Sequence, residues 1–133
     1  MCPKPYKIFN IGGCLMDIKR DKYLNDLINR MHNGMVKVIT GIRRCGKSYL
    51  LFHIFQNYLL KQDIPASHII AIELDQRKNR KYREPDTILD YIESLITDNA
   101  PYYILLDEVQ MLQDFEEVLN SLLHIGNADI YVT

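Results

Sequence analysis

The sequence predicts a three-layer α/β fold in which helices cover both faces of a mostly parallel β-sheet. Segments rich in β-branched and aliphatic residues alternate along the chain with segments whose apolar residues recur every three or four positions. This is the pattern of strands that alternate with amphipathic helices. The apolar run at residues 102–106 is continuous, which is typical of an inner strand buried on both faces of a parallel sheet.

Four strands are expected in chain order, at residues 35–40, 69–74, 102–106 and 130–133. The first follows the turn-forming pair Asn33-Gly34, and the third begins directly after Pro101. Right-handed crossovers connect parallel strands. The loops that follow the strands are therefore expected at one edge of the sheet, where ligands bind in such folds.

Four helices are expected between the strands, each with one apolar face. The third begins at Pro85, and the first ends near Asn33-Gly34. The four faces consist of Tyr23, Leu24, Leu27, Ile28 and Met31; of Leu50, Leu51, Ile54, Phe55, Tyr58 and Leu59; of Ile88, Leu89, Ile92, Leu95 and Ile96; and of Phe115, Val118, Leu119, Leu122 and Leu123. We interpret these faces as core and not as cofactor contacts.

The loop after the first strand contains the most specific motif of the chain. Residues 41–48 match G-x-x-x-x-G-K-[ST], the phosphate-binding loop (P-loop). Its glycines let backbone N–H groups turn inward around a β-phosphate. Lys47 can reach the β- and γ-phosphates, and the Ser48 hydroxyl can bind Mg²⁺. The residues expected to contact the nucleotide are Gly41, Ile42, Arg43, Arg44, Cys45, Gly46, Lys47, Ser48 and Tyr49.

Two adjacent carboxylates, Asp107 and Glu108, directly follow the apolar run at residues 102–106. Carboxylates at the end of a buried strand are costly unless cations or ordered water meet them. We expect Asp107 to hold Mg²⁺ through a water molecule, opposite Ser48. We expect Glu108 to orient or deprotonate the water that attacks the γ-phosphate. An Asp-Glu pair suits water as the nucleophile, so the motif favours hydrolysis over a kinase reaction.

Together the two motifs resemble the prokaryotic AAA-type P-loop ATPases, especially those whose ATPase domain precedes a C-terminal domain of unknown function. The resemblance rests on residues 38–48, VITGIRRCGKS, and on residues 105–110, LLDEVQ. It covers residues 17–133, which we interpret as a partial ATPase domain, and leaves residues 1–16 as an N-terminal extension of unassigned function. The resemblance implies ATP as the nucleotide, with Mg²⁺. It also implies that the strand ending at Thr133 lies between the two motif strands, close to the γ-phosphate.

The resemblance further implies a fold that is incomplete at its C-terminus. The strand that ends at Thr133 would continue into a Gly-Ser turn with a polar sensor of the γ-phosphate. A fifth strand, a helical lid, any arginine finger and the C-terminal domain would follow. We therefore expect Mg²⁺-dependent ATP hydrolysis, and we keep as an alternative a fragment that binds nucleotide without turnover. The missing C-terminal domain and a second copy of the chain remain open as partners.

A second alternative is the ATPase domain of a nucleic-acid-linked protein. Five cations lie between Asp75 and Asp86, namely Arg77, Lys78, Arg80, Lys81 and Arg83. Such a cluster can contact nucleic acid phosphates. The segment is short and three acidic residues accompany it, so a solvated loop is the favoured interpretation.

Composition agrees with one domain. The 133 residues include 47% hydrophobic and 25% charged residues, with a net charge of −1, which gives no overall attraction to nucleic acid or membrane. No apolar run approaches the ~20 residues of a membrane span. The cysteines are Cys2, Cys14 and Cys45, without a C-x-x-C pair, which favours reduced thiols and a cytoplasmic protein. The four histidines show no metal-ligand spacing.

Overall fold

A computed structural model describes residues 6–10, 17–40 and 47–133. Five parallel strands form one sheet in the order β1-β2-β5-β4-β3. The strands are β1 (Tyr6–Asn10), β2 (Val36–Thr40), β3 (Ile69–Glu73), β4 (Tyr102–Asp107) and β5 (Ala128–Val132). The parallel α/β sheet predicted from the sequence is confirmed. The position of β5 between β2 and β4 agrees with the order that the family resemblance implied.

Helices connect the strands at the predicted places. They are α1 (Asp17–Asn29), α2 (Lys47–Tyr49), α3 (Gln56–Lys61), α4 (Pro85–Leu95) and α5 (Phe115–Leu123). A π-helical segment, Leu50–Phe55, joins α2 to α3, so the helix after the P-loop motif runs without a break from Lys47 to Lys61. The recurrence of apolar residues every three or four positions predicted this helix. It did not predict the wider π-helical turns of residues 50–55. None of the helices in the described ranges has the length and apolar character that a membrane crossing requires.

Three 3₁₀-helical segments complete the described structure, at Ala66–His68, Arg77–Arg83 and Val109–Met111. The second segment is regular 3₁₀ structure and not the loop that we expected, whereas the expected exposure to solvent holds for four of its five cations, all but Arg83. Helix α4 begins at Pro85, as predicted. Its N-cap is Glu84, whose carboxylate accepts bonds from the N–H groups of Asp86 (3.2 Å) and Thr87 (2.7 Å).

Helices cover both faces of the sheet, as a three-layer fold requires. On one face, α1 and the helix from Lys47 to Lys61 bury Leu27, Leu50, Leu51, Phe55 and Leu59 against the sheet residues Ile39, Ile69, Tyr103, Leu105 and Tyr131. On the other, α4 and α5 bury Ile88, Ile92, Val118, Leu119 and Leu122 against the sheet residues Ile70, Ile72, Ile104, Leu106, Ile130 and Val132. Alternate residues of β4 thus belong to opposite cores, which explains its continuous apolar sequence.

Strand β1 lies where the sequence analysis assigned no structure. It pairs in parallel with β2 from Tyr6, opposite Val36, to Asn10, opposite Thr40. The strand forms one edge of the sheet, and the side chain of Ile8 is 62% exposed. Five residues between two prolines and a glycine pair give too short a pattern to identify a strand without its partner.

A polar cluster is buried at the amino-terminal edge of the sheet. Lys37 of β2 is fully buried, and its ammonium pairs with the carboxylate of Asp129 of β5, which is also buried. The ammonium also donates to the carbonyl of Met35 at 2.9 Å. Asp129 accepts further bonds from the Tyr131 hydroxyl (2.6 Å) and the His32 N–H (2.9 Å). Burial lowers the pKa of Lys37, and the contact with Asp129 opposes that shift.

Candidate functional site

The carboxyl ends of β2, β5 and β4 meet at one edge of the sheet, opposite the buried Lys37–Asp129 pair. Strand β2 ends at Thr40, and the next residues, 41–46, lie outside the described part of the chain. One strand separates β2 from β4, so the two are about 10 Å apart at two strand spacings. The segments with the P-loop motif and with the carboxylate pair therefore leave the sheet as near neighbours.

The P-loop motif is described only at its last two residues. Gly41, Ile42, Arg43, Arg44, Cys45 and Gly46 are outside the described residues. Lys47 is half-buried and is the first residue of α2, so a helix begins where the motif requires one. Ser48 follows in the same helix. Tyr49 is 44% exposed, and its ring stacks on His53 with the ring centres 4.9 Å apart.

Asp107 is the last residue of β4 and is only 5% exposed. One of its carboxylate oxygens, Oδ1, accepts a hydrogen bond from the Thr133 hydroxyl at 2.5 Å. That hydroxyl also accepts a bond from the backbone N–H of Glu108 at 3.1 Å. The side chain of Thr133 thus joins the first carboxylate to the backbone of the second.

Thr133 makes two more bonds to the same segment. Its N–H donates to the carbonyl of Leu106 at 3.0 Å, and its carbonyl accepts from the N–H of Val109 at 3.0 Å. Only the family resemblance predicted that Thr133 lies in this region. These four hydrogen bonds, which hold the carboxylate pair against β5, depend on the strand order and have no local sequence signal.

Glu108 adopts the left-handed backbone conformation, with φ of 56° and ψ of 55°. For a residue with a side chain this conformation costs about 1–2 kcal/mol. The chain turns sharply there, from the end of β4 into the 3₁₀ segment Val109–Met111. The side-chain amide of Gln110 donates to the Glu108 carboxylate, which holds it at the half-buried edge of the site. Strain of this kind concentrates at functional positions.

Another acidic residue, Glu73, is in register with Asp107 on the neighbouring strand, and it was not identified from the sequence. Glu73 ends β3 and is directly opposite Asp107 in the register of the two strands. The N–H of Leu74 donates to the carbonyl of Asp107 at 3.1 Å, which fixes the end of β3 against the end of β4. The available signal was an acidic residue at the end of an apolar strand, the same signal that identified Asp107.

The donor set at this edge fits Mg²⁺. Asp107 supplies a buried carboxylate, and hydroxyl and carboxylate oxygens are the ligands that Mg²⁺ prefers. Mg²⁺ keeps several waters and needs only one or two protein ligands. Among the described residues there is no cluster of three or more His, Cys, Asp or Glu side chains, the arrangement typical of transition-metal sites.

Comparison with known proteins agrees with this geometry. The model of a family described as "AAA domain" matches residues 33–133. An uncharacterized protein of Haemophilus influenzae is 30% identical over 117 residues, which are 87% of this chain and 29% of that protein. The chain therefore spans less than a third of the length of this relative. No solved structure matches the chain. On the strength of the family match, the chain belongs to the AAA domain family of ATPase-type, nucleotide-binding proteins.

Proposed function

We propose that this protein binds ATP with Mg²⁺ and hydrolyses the bond between its β- and γ-phosphates. Membership of the AAA domain family and the P-loop motif at residues 41–48 support nucleotide binding. The adjacent carboxylates Asp107 and Glu108 at the neighbouring strand end support hydrolysis rather than binding alone.

In this proposal the glycine-rich backbone from Gly41 to Gly46 surrounds the phosphates, and Lys47 neutralises the β- and γ-phosphates. Ser48 and Asp107 are the residues that would hold Mg²⁺, which when bound supplies positive charge to the phosphate oxygens. Glu108 accepts the proton of the attacking water or orients that water. Thr133 is a positioning residue, because its hydroxyl bonds both Asp107 and the backbone of Glu108.

The observation that best supports hydrolysis is the hydrogen bonding of Thr133 to both carboxylate residues. Phosphoryl transfer needs positioned charge more than covalent chemistry. A buried carboxylate for the metal and a strained, half-buried carboxylate for the water differ in environment, as two separate roles require. An ordinary acidic turn needs neither the buried Asp107 nor the left-handed Glu108.

The test is paired measurement of ATP binding and phosphate release on the purified protein with Mg²⁺. Lys47→Ala is expected to weaken ATP binding at least tenfold, about 1.4 kcal/mol. Glu108→Gln is expected to keep binding and to lower phosphate release by about 10²-fold or more, as for loss of a general base. Glu93→Gln, an exposed glutamate of α4, is the matched control and is expected to change neither.

Absence of ATP binding in the folded, unaltered protein would overturn the proposal as a whole. Equal phosphate release by the unaltered protein and by Glu108→Gln would overturn the role of Glu108 and leave the binding site intact.

One observation favours a second candidate function, nucleotide binding without turnover. The Glu108 carboxylate already accepts a hydrogen bond from Gln110, and that amide occupies a position where a water molecule could otherwise bind. Gln110→Ala separates the two candidates. If Gln110 holds Glu108 inactive, removal of the amide raises phosphate release; if it positions Glu108 for catalysis, removal lowers it.

A further inference from the structure

The basic 3₁₀ segment after β3 presents its charges on one side. A 3₁₀-helix has three residues per turn, so residues three apart lie in one row along its axis. The row of Asn79 and Tyr82 faces the protein: the Asn79 amide donates to the carbonyl of Glu73 at 3.0 Å, and the Tyr82 ring lies 4.6 Å from the ring of Tyr91. The other two rows hold the five cations, of which Arg83 is half-buried. The four exposed ones are Arg77, Lys78, Arg80 and Lys81, which we call the basic ridge.

The segment that carries the basic ridge is fixed at its middle, by Asn79, and at its end, by Arg83. Arg83, the last residue of the segment, turns inward, and its Nε donates to the carbonyl of Leu74 at 2.8 Å. The carbonyl of Arg83 accepts from the N–H of Gln113 at 2.9 Å. Together with the Asn79 contact, these bonds tie the segment to the ends of β3 and to the residues that follow β4. A ligand bound by the ridge would therefore order only side chains, because the backbone is already fixed. The entropic cost of binding is lower than for a flexible loop.

The acidic residues near the basic ridge remain charged, but in the described part of the chain they form no ion pair with it. Glu84 caps helix α4, and its bonds to Thr87 lower the pKa of its carboxyl. In the described part of the chain, the ion pairs join Lys37 and His32 to Asp129 and His68 to Asp98, and none includes a residue of the ridge. Four cations that form no ion pair with a described residue thus lie within five positions of a chain whose net charge is only −1. The positive field at the ridge is local rather than a property of the whole protein.

We propose that the basic ridge binds the sugar-phosphate backbone of duplex DNA without reading its sequence. From Arg77 to Lys81 the 3₁₀ axis rises about 8 Å, comparable with two or three phosphates of one strand at about 3.4 Å each. The long side chains extend that reach to about four phosphates. Exposed arginine and lysine side chains that are not engaged in ion pairs are the ones that contact phosphate oxygens in such interfaces.

The ridge favours a duplex over a single strand because it offers no ring for base stacking. Proteins that bind single strands combine positive charge with exposed aromatic side chains. The aromatic residue of this segment, Tyr82, is half-buried against Tyr91, and the Lys81 ammonium lies 5.0 Å from the centre of its ring. A rigid duplex can be bound through contacts to its phosphates alone.

The test is the binding of a fluorescein-labelled 20-base-pair DNA duplex, followed by fluorescence anisotropy between about 30 and 200 mM salt, without nucleotide. With three to four phosphate contacts, the slope of log K against log salt is expected near −3. The variant Arg77→Ala/Lys78→Ala/Arg80→Ala is expected to bind at least tenfold more weakly at low salt, with a slope near −1. Because no ATP is added, this result is independent of the proposed hydrolysis.

The matched control removes three exposed cations elsewhere, Lys22→Ala/Arg30→Ala/Lys61→Ala, and so changes the net charge equally. It is expected to bind like the unaltered protein. Circular dichroism melting checks that both variants fold. If the ridge variant does not fold, the single changes Lys78→Glu and Lys61→Glu replace the two triples, with weaker binding expected only for the first.

Three results would overturn the proposal: no DNA binding by the unaltered protein at low salt, an equal loss in the ridge and control variants, or tighter binding of a labelled single strand of the same length. Binding to phosphatidylserine vesicles at lower protein concentration than to the duplex would assign the ridge to a membrane surface instead.

Discussion

The two edges of the sheet each contain a buried aspartate, and the two are stabilised in different ways. At the amino-terminal edge, Asp129 is 3% exposed and is paired with the fully buried ammonium of Lys37. At the carboxyl-terminal edge, Asp107 is 5% exposed and accepts a hydrogen bond from the Thr133 hydroxyl. The first aspartate has a cation of opposite charge within the fold. The second is held in place by the hydroxyl at the end of the neighbouring strand.

We therefore expect the first edge to be structural and the second to be functional. A buried ion pair with its remaining oxygens satisfied, as at Asp129, has no further group to bind and holds the strand ends in register. A buried carboxylate positioned by a hydroxyl, next to a strained neighbour, is a better candidate for binding a metal ion. The four predictions that follow test this contrast.

The largest expected effect is on stability at the amino-terminal edge. Asp129→Ala leaves the ammonium of Lys37 buried without a counter-charge, which is expected to lower the free energy of unfolding by about 3–5 kcal/mol. The double change Lys37→Met/Asp129→Leu is expected to cost less than Asp129→Ala, because no unpaired charge remains. Urea denaturation measures both.

The control for this prediction is Asp98→Ala. The side chain of Asp98 is 52% exposed and lies 3.5 Å from His68, so its loss is expected to cost below about 1 kcal/mol. Equal losses at Asp129 and Asp98 would contradict a structural ion pair at the buried edge.

The second prediction concerns Asp107 at the carboxyl-terminal edge, where we expect a small effect on stability and a large effect on ATP binding. Asp107→Asn keeps the shape and the acceptor oxygen for Thr133 but removes the charge. It is expected to change the free energy of unfolding by less than about 1 kcal/mol, and to weaken ATP binding in Mg²⁺ at least tenfold, about 1.4 kcal/mol. Calorimetric titration with and without Mg²⁺ measures the difference. If Asp107→Asn destabilises the fold as much as Asp129→Asn does, both aspartates are structural and the contrast fails.

The sequence predicted the secondary structure well where the pattern was local and strong. The continuous apolar run of β4 and the faces of α4 and α5 follow from hydrophobic burial, which depends on residues close in the chain. Strand β1 was missed because it is stabilised by a distant partner: Tyr6 of β1 pairs with Val36 of β2, 30 positions later in the chain. The π-helical turn was missed because three- and four-residue spacing describes an α-helix equally well.

The site was predictable in part for the same reason. Asp107 and Glu108 are adjacent residues with a recognisable apolar strand before them, so their position followed from the sequence. The bonds from Thr133 join residues 25 and 26 positions apart, and the pair of Lys37 and Asp129 joins residues 92 positions apart. Such contacts depend on which strands are neighbours, and no local pattern specifies them. A lysine within a strand instead suggests an exposed side chain.

The third prediction concerns the hydroxyl that links the carboxylate pair. Thr133→Val removes the donor to Asp107 and the acceptor for the Glu108 N–H while it keeps the side-chain shape. Loss of these partners is expected to cost about 1–3 kcal/mol of unfolding free energy, and phosphate release is expected to fall. Thr133→Ser retains the hydroxyl and is expected to restore release. A valine variant with unchanged release would show that the link does not position the catalytic groups.

The last and smallest effect is a gain in stability. At Glu108 the left-handed conformation costs a residue with a side chain about 1–2 kcal/mol, and glycine adopts it without that strain. Glu108→Gly is therefore expected to raise the free energy of unfolding by about 1 kcal/mol or less, since glycine also loses more backbone entropy. Phosphate release is expected to fall at the same time. Asp114 has a similar backbone, with φ of 50°, and lies beyond the carboxylate pair. Asp114→Gly is expected to stabilise the fold without loss of phosphate release. That result would show that relief of left-handed strain alone does not lower release, so the loss in Glu108→Gly comes from the missing carboxylate.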